Sequence, residues 1–391
     1  MNKKISLGLA LSLIAVSVAV TFILTSFFSL QSFNEKVVDV NEKAKKYTAL
    51  QSLDNYVREN YFGEIDESVL NNGILKGYVA GVNDKYSRYL TEEEYITEKN
   101  DNSGNLVGLG LTLAQDESGY IRISEIITNS PAYDSGIQED DIITFVDGMD
   151  VKEIGFAEAA DAMKGTEGSE ISLTIRRNGK DTEYKFTRRS IELKTVEAQM
   201  MSNYIGYIKI TGFKQNTPEQ FMNALEGLTV NGAVALIFDL RDNTGGLVSA
   251  LEECLDPLLP EGIIAVADYK DGSSETLVYS DEEELMLPMV VIVNENTASA
   301  AELFAASLRD FNKAPLVGSQ TYGKGVIQST TELDDGGALV LTIAEYRTAP
   351  SQCFNGIGIT PDVQIENDEE DVDSQFNKAV EVLMAIATDE Q

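Results

Sequence analysis

Two short runs, Ala233–Leu240 (AVALIFDL) and Pro288–Val293 (PMVVIV), set the tightest limit on what this chain folds into. A strand with one face in water alternates apolar and polar residues, and these runs do not. Both of their faces must therefore be covered, as in a parallel sheet with helices on either side. Each run then breaks into a polar, glycine- or asparagine-bearing loop, RDNTGG or NENTA, and helical spacing follows. Leu247, Leu251, Cys254, Leu255 and Leu258 recur at that spacing after the first loop, and Phe304, Leu308 and Phe311 after the second. Residues 191–391 thus read as an α/β domain whose strand-to-helix loops converge on one side, the usual place for a site.

The rest of the chain has different patterns. Residues 104–190 break into short strands: two around a polar turn in VGLGLTLAQDESGYIRISEIITNSPA, another in DDIITFVDG, and a hairpin turning at Asn178-Gly179, with a brief helix at FAEAADAM. Residues 35–103 read as helical and connective. From Ile5 to Phe33 no residue is charged, enough to cross a bilayer about 30 Å thick. The run exceeds the apolar core of a cleaved signal peptide and lacks a small-x-small cleavage site. Residues 1–34 are therefore expected to be an uncleaved transmembrane signal anchor, with the remainder exported.

The 391 residues carry 64 acidic and 30 basic side chains, a net charge of −34, which argues against nucleic acid as a partner. There is no histidine, which removes Ser-His-Asp and Cys-His chemistry and nearly all transition-metal catalysis. Two cysteines, Cys254 and Cys353, allow at most one bridge and no thiolate zinc site. No cofactor is implied.

In NENTASAAELF, Ser299 stands where a strand hands over to a helix. Ser-Ala-Ala-Glu is a capping box, so Ser299 and Glu302 are explained as a helix start without any chemistry. The same position favours a developing negative charge. A serine nucleophile without histidine needs a lysine whose burial makes the charged form costly. TYGKGVIQ offers Lys324 between two glycines and beside Val326 and Ile327; if the stretch is extended, Gln328 shares its face and can orient it. For an oxyanion, Gly245 and Gly246 of DNTGG and Ala300 after the serine offer uncrowded backbone N–H groups. GSQTYGKG mimics a phosphate-binding loop, but Gly325 stands where a hydroxyl residue is needed, and strand rather than helix is expected to follow.

These stretches, in order, resemble the C-terminal processing peptidases, Ser-Lys endopeptidases with an exported helical region, a PDZ domain and a ClpP/crotonase-like α/β core. DKYSRYLTEEEY, LIFDLRDNTGG, NENTASAAELFAASLRD, VGSQTYGKGVIQ, LTIAEYRTAPS and GIGITPDV carry the resemblance, and residues 104–190 resemble a circularly permuted bacterial PDZ domain. The resemblance implies Ser299 as nucleophile, Lys324 as general base positioned by Gln328, and N–H groups of Gly245 and Ala300 as the oxyanion site. Asp310 would support the structure. Gly108, Leu109, Gly110 and Leu111 would receive the terminal carboxylate of a peptide that adds as a strand. Lys85 replaces the family's usual proline, and Thr297 and Ala301 replace its outer serines. The expected protein is a membrane-anchored extracytoplasmic protease of proteins or peptides with accessible C-terminal tails. It is open to homo-oligomerisation; a non-catalytic PDZ adaptor or a crotonase-type acyl-CoA enzyme are the alternatives.

Overall fold

The computed structural model describes residues 44–366 and 373–389, with positions 17, 21 and 25 besides. The expected membrane anchor, 1–34, falls almost wholly outside them. Among the described residues no helix is long and apolar enough to cross a membrane. The chain divides into two compact units, 1–74 and 75–391. In the first, a helix over 44–60 carries Arg58, which bridges Asp54 at 2.9 Å and Glu67 at 2.5 Å. None of its described residues from 44 to 74 is buried.

The second unit is built on the two runs that opened the sequence argument. A six-stranded sheet takes the order 196–200, 205–210, 235–239, 289–293, 316–318, 363–364; its first pair is antiparallel and the rest are parallel. Every residue of Ala235–Asp239 and of Met289–Val293 is buried, as strands covered on both faces require. Helices Thr217–Val230, Val248–Leu255 and Ala300–Asp310 share one core with Phe213, Phe221, Phe238 and Phe304. On the other face, Ala379 and Leu383 of helix Ser374–Asp389 pack against Ile237, Val290 and Ile292. Each such side chain contributes about 1.5–3 kcal/mol by leaving water.

A second, antiparallel sheet joins Arg88–Leu90, Ala338–Thr348, Gly262–Tyr269 and Ser274–Ser280, with Val326–Glu332 also paired to Ala338–Thr348. The strand Arg88–Leu90 lies inside a stretch expected to be helical. Its first residue is exposed and its next two are buried, a span too short for a helix to compete, and pairing with Ala338–Val340 captures them.

Residues expected to form a PDZ domain do form a separate β layer. Its strands run Leu111–Gln115, Ile121–Ile126, Ile142–Val146, Glu170–Arg177 and Lys180–Thr187, around a core of Ile121, Ile123, Ile143, Val146 and Leu173. Asn178 at φ 51° and Gly179 at φ 74° make the expected hairpin turn. The chain enters and leaves this layer through one antiparallel ribbon, Asn105–Gly108 against Arg189–Glu192. Asn216 of the core pins the ribbon by donating its amide to Leu193 O at 3.0 Å and Gly104 O at 3.3 Å.

Candidate active site

Strand Met289–Val293 ends in the loop that carries Ser299, and the helix beginning at Ala300 follows at once. Asn294 N–H donates to Thr297 Oγ1, Thr297 Oγ1 to Leu240 O and Ala298 N–H to Asn243 O, each at 2.9 Å, so the turn is tied to the end of the neighbouring strand. Ser299 has φ 58° and ψ −122°. An ordinary N-cap residue takes extended angles. A non-glycine residue held here costs on the order of 1–3 kcal/mol, and such strain collects at functional sites. The helix start foreseen in the sequence is present, in a conformation that capping does not require.

Glu302 holds this strain. Its carboxylate is fully buried and accepts from Ser299 N–H at 2.9 Å, as half of the capping box. It also accepts from Thr321 Oγ1 at 2.6 Å, Gly323 N–H at 2.7 Å and Lys324 N–H at 2.8 Å. One carboxylate therefore fixes the serine turn and the lysine loop to each other. The sequence showed only its capping spacing; the three other contacts bridge 19 to 22 residues and had no local signal.

Lys324 lies in the loop before strand Val326–Glu332, so the phosphate-loop mimic is followed by strand as expected. Among the described residues no carboxylate pairs with its ammonium, which lies 4.8 Å from the centroid of the Tyr86 ring. Burial pushes the lysine below its ordinary value of 10.5; the guanidinium of Arg88 and the ammonium of Lys85 act in the same direction, against Asp84 and Glu98. Tyr346 closes the far side. Its fully buried hydroxyl donates to Lys324 O at 2.6 Å and interacts with the Ser299 hydroxyl. No hydrogen bond joins Ser299 Oγ to Lys324 Nζ in this arrangement.

Two expectations meet a different geometry. The Gln328 amide donates to Val326 O and Thr342 Oγ1, each at 3.3 Å, and not to Lys324. The alternation argument assumed that Lys324 belongs to the strand, but the strand begins at Val326 and Lys324 lies in the loop before it. The Gly245 N–H, expected at an oxyanion site, donates to Asn243 Oδ1 at 2.8 Å. Gly245 itself is where the argument needs it. At φ 101°, a Cβ there would sit 2.7 Å from Ser299 Cβ and 2.9 Å from Ala300 N, so only glycine fits against the turn. Ala300 N–H, at the helix start, meets no acceptor among the described residues. An open cleft of about 550 Å³ runs beside these groups, lined by Asp242, Thr244, Asn296, Ala298, Tyr322 and Lys324.

Asp310 behaves as the supporting residue expected of it, accepting from Thr348 Oγ1 at 2.5 Å and Arg309 Nε at 2.9 Å. Cys254 is buried in its helix, Cys353 sits near Gly325, and both are free thiols.

In the β layer, Leu109 and Gly110 form a turn between the ribbon and strand Leu111–Gln115. Their carbonyls accept from Ala132 N–H and Ile127 N–H, and their own N–H groups meet no acceptor among the described residues. Gly108 belongs to the ribbon, opposite Arg189. Gly110 has φ 76°, and a Cβ on it would lie 2.2 Å from Ser130 Cβ. Among the described residues strand Leu111–Gln115 pairs only with Ile121–Ile126, which leaves its other edge without a partner strand there.

A sheet core that carries a strained serine at a strand-to-helix turn, with a separate β layer joined to it, suits a serine peptidase with an accessory domain. Comparison with known proteins agrees: the model of peptidase family S41 matches residues 204–365, and that of the PDZ domain matches 96–176. The carboxy-terminal processing protease CtpA of Bacillus subtilis (strain 168) is 33% identical over 323 residues, 82% of this chain and 69% of that protein. The carboxyl-terminal-processing protease of Synechocystis sp. (strain ATCC 27184 / PCC 6803 / Kazusa) is 34% identical over 75% of this chain and 70% of its own. Among solved structures, the photosystem II D1 C-terminal processing protease is 25% identical with a TM-score of 0.50, covering 80% of this chain and 86% of that one. This chain belongs to peptidase family S41 and is a serine-type C-terminal processing peptidase carrying a PDZ domain. That membership decides against the adaptor and acyl-CoA alternatives.

Proposed function

We propose that this protein is a membrane-anchored, extracytoplasmic endopeptidase in which Ser299 is the nucleophile and Lys324 the general base. The observation that carries the reading is the Glu302 carboxylate, which holds a strained serine and a carboxylate-free, half-buried lysine in one frame. In the reaction, neutral Lys324 takes the proton of Ser299 as its oxygen attacks the substrate carbonyl carbon. The oxyanion is received by Ala300 N–H and by Gly245 N–H once it exchanges its bond to Asn243. Collapse breaks the C–N bond, and the Lys324 ammonium returns the proton to the departing amine. Water, deprotonated by Lys324, then opens the acyl-enzyme and restores Ser299. Formation of the Ser299–Lys324 hydrogen bond requires the lysine side chain to turn from the Tyr86 ring, and substrate filling the cleft supplies the occasion.

Substrate selection is assigned to the β layer. The unengaged N–H groups of Leu109 and Gly110 suit a terminal carboxylate, and the open edge of Leu111–Gln115 suits a tail adding as a strand. The membrane anchor is residues 1–34, whose uncharged stretch supports that assignment.

The test compares cleavage of an unfolded protein with an apolar tail by wild type, Ser299→Ala and Lys324→Ala. Both variants should fold and lose at least about a thousandfold in rate, the scale seen when a nucleophile or its base is removed. Cleavage persisting in Ser299→Ala sinks the assignment. In wild type, kcat/KM should rise with pH through a value below 10.5, because the base works only when deprotonated and burial lowers the pH at which that happens.

A further inference from the structure

The segment Asp84–Leu90 roofs the catalytic lysine, and its first cation is held unusually. The Lys85 ammonium lies 4.7 Å from the Tyr86 ring centroid and 5.0 Å from that of Tyr322. Tyr322 and Lys324 both line the cleft, and the Tyr86 ring is also the one against which the Lys324 ammonium rests, at 4.8 Å. Lys85 therefore stands on the cleft rim, within about one Debye length (~10 Å at 0.1 M salt) of the base.

Its neighbours do not neutralise it. Arg88 is paired with Glu98 at 2.6 Å. The Asp84 carboxylate is held by Ser87 Oγ at 2.5 Å and by Tyr86 N–H at 3.3 Å. Lys85 itself pairs with no carboxylate among the described residues, in a chain with 64 acidic side chains to choose from. Aromatic faces can hold a cation without discharging it, leaving its attraction available to an incoming anion. The Tyr86 side chain, and after it that of Tyr322, hold the Lys85 ammonium above its ordinary value, so it stays charged at the cleft rim. The cleft is also lined by Asp242, whose carboxylate accepts from Asn296 at 2.8 Å and Asn294 at 2.9 Å and is held below the usual carboxylate range by them. The cleft is thus dipolar, negative at Asp242 and positive at Lys85.

We propose that Lys85 is a specificity determinant that selects substrates with an acidic side chain close to the scissile bond. The inference rests on the Ser299–Lys324 assignment. Its physical content is an exposed charge pair at a cleft rim, so the expected discrimination is modest and sensitive to salt.

The test uses full-length protein and a set of peptides identical except at one position, occupied in turn by Glu, Gln or Lys and walked across the residues flanking the cleaved bond. At low salt, wild type should prefer Glu over Lys at one position by about three- to fivefold in kcat/KM, the upper range for an exposed pair. Lys85→Arg should keep that preference, Lys85→Met should abolish it, and Lys85→Glu should reverse it; raising the salt should flatten all of them. An acidic preference unchanged in Lys85→Met, or no acidic preference at any position, overturns the inference. Ser299→Ala run in parallel separates the two readings, since cleavage there overturns the catalytic assignment whatever Lys85 does.

Discussion

Glu302 shows how much one side chain controls. Its four short hydrogen bonds reach the Ser299 turn and the Lys324 loop together. Glu302→Gln keeps the volume but brings two donors into a nest of donors. It should lower stability by about 2–4 kcal/mol, measured by denaturant unfolding, because buried N–H groups lose their acceptor. The variant should remain folded yet lose about a hundredfold or more in kcat, since small displacements of reacting groups cost that much. Lys324 permits a second residue-scale prediction. Burial lowers its pKa in the folded state, so the unfolded chain holds that proton more tightly. Its cost to stability is full below the folded pKa and vanishes as pH rises through 10.5. Lys324→Met should therefore stabilise the inactive protein, with a gain present at neutral pH and lost in strong alkali. What the sequence made legible at this scale was what elimination could reach: without histidine, a buried lysine was the base to look for. Tyr346, Tyr86 and the added roles of Glu302 were hidden, because their contacts join segments distant in the chain.

At the scale of elements, unbroken apolar runs were read correctly as doubly covered strands, since no other packing hides both faces. The strand Val326–Glu332 was misread for a related reason. Period-two alternation holds only within a strand, and Lys324 stands before this one begins, so the rule does not place it on the face of Gln328. Arg88–Leu90 failed differently: three residues carry too little pattern to outvote a helical context, and only their partner strand identifies them. The Leu109–Gly110 turn of the β layer, proposed to receive a terminal carboxylate, makes the prediction for this scale. Gly110→Val places a branched side chain at φ 76° against Ser130. It should destabilise the β layer by more than about 1 kcal/mol and weaken binding of an apolar-tailed peptide, followed by calorimetry, while Ser299 reactivity toward a small active-site acylating reagent persists.

For the whole molecule, the decisive feature is that the PDZ layer is attached by a single paired ribbon. Gly108 and Arg189 face each other across it, so residues 109–188 leave and return at the same point. The core is then complete without them. Replacing 109–188 by Asn-Gly should close the ribbon as a two-residue hairpin, with no loose ends and no change of register in the core. If tail recognition resides in the PDZ layer, that shortened protein should still cleave unfolded chains, but with tail preference erased and basal rate altered. Identical kinetics on every substrate would refute a selecting or gating role. A domain hung this way works as a cartridge: another recognition module whose ends lie as close together can be seated at Gly108 and Arg189, redirecting the same Ser299 toward a new set of proteins.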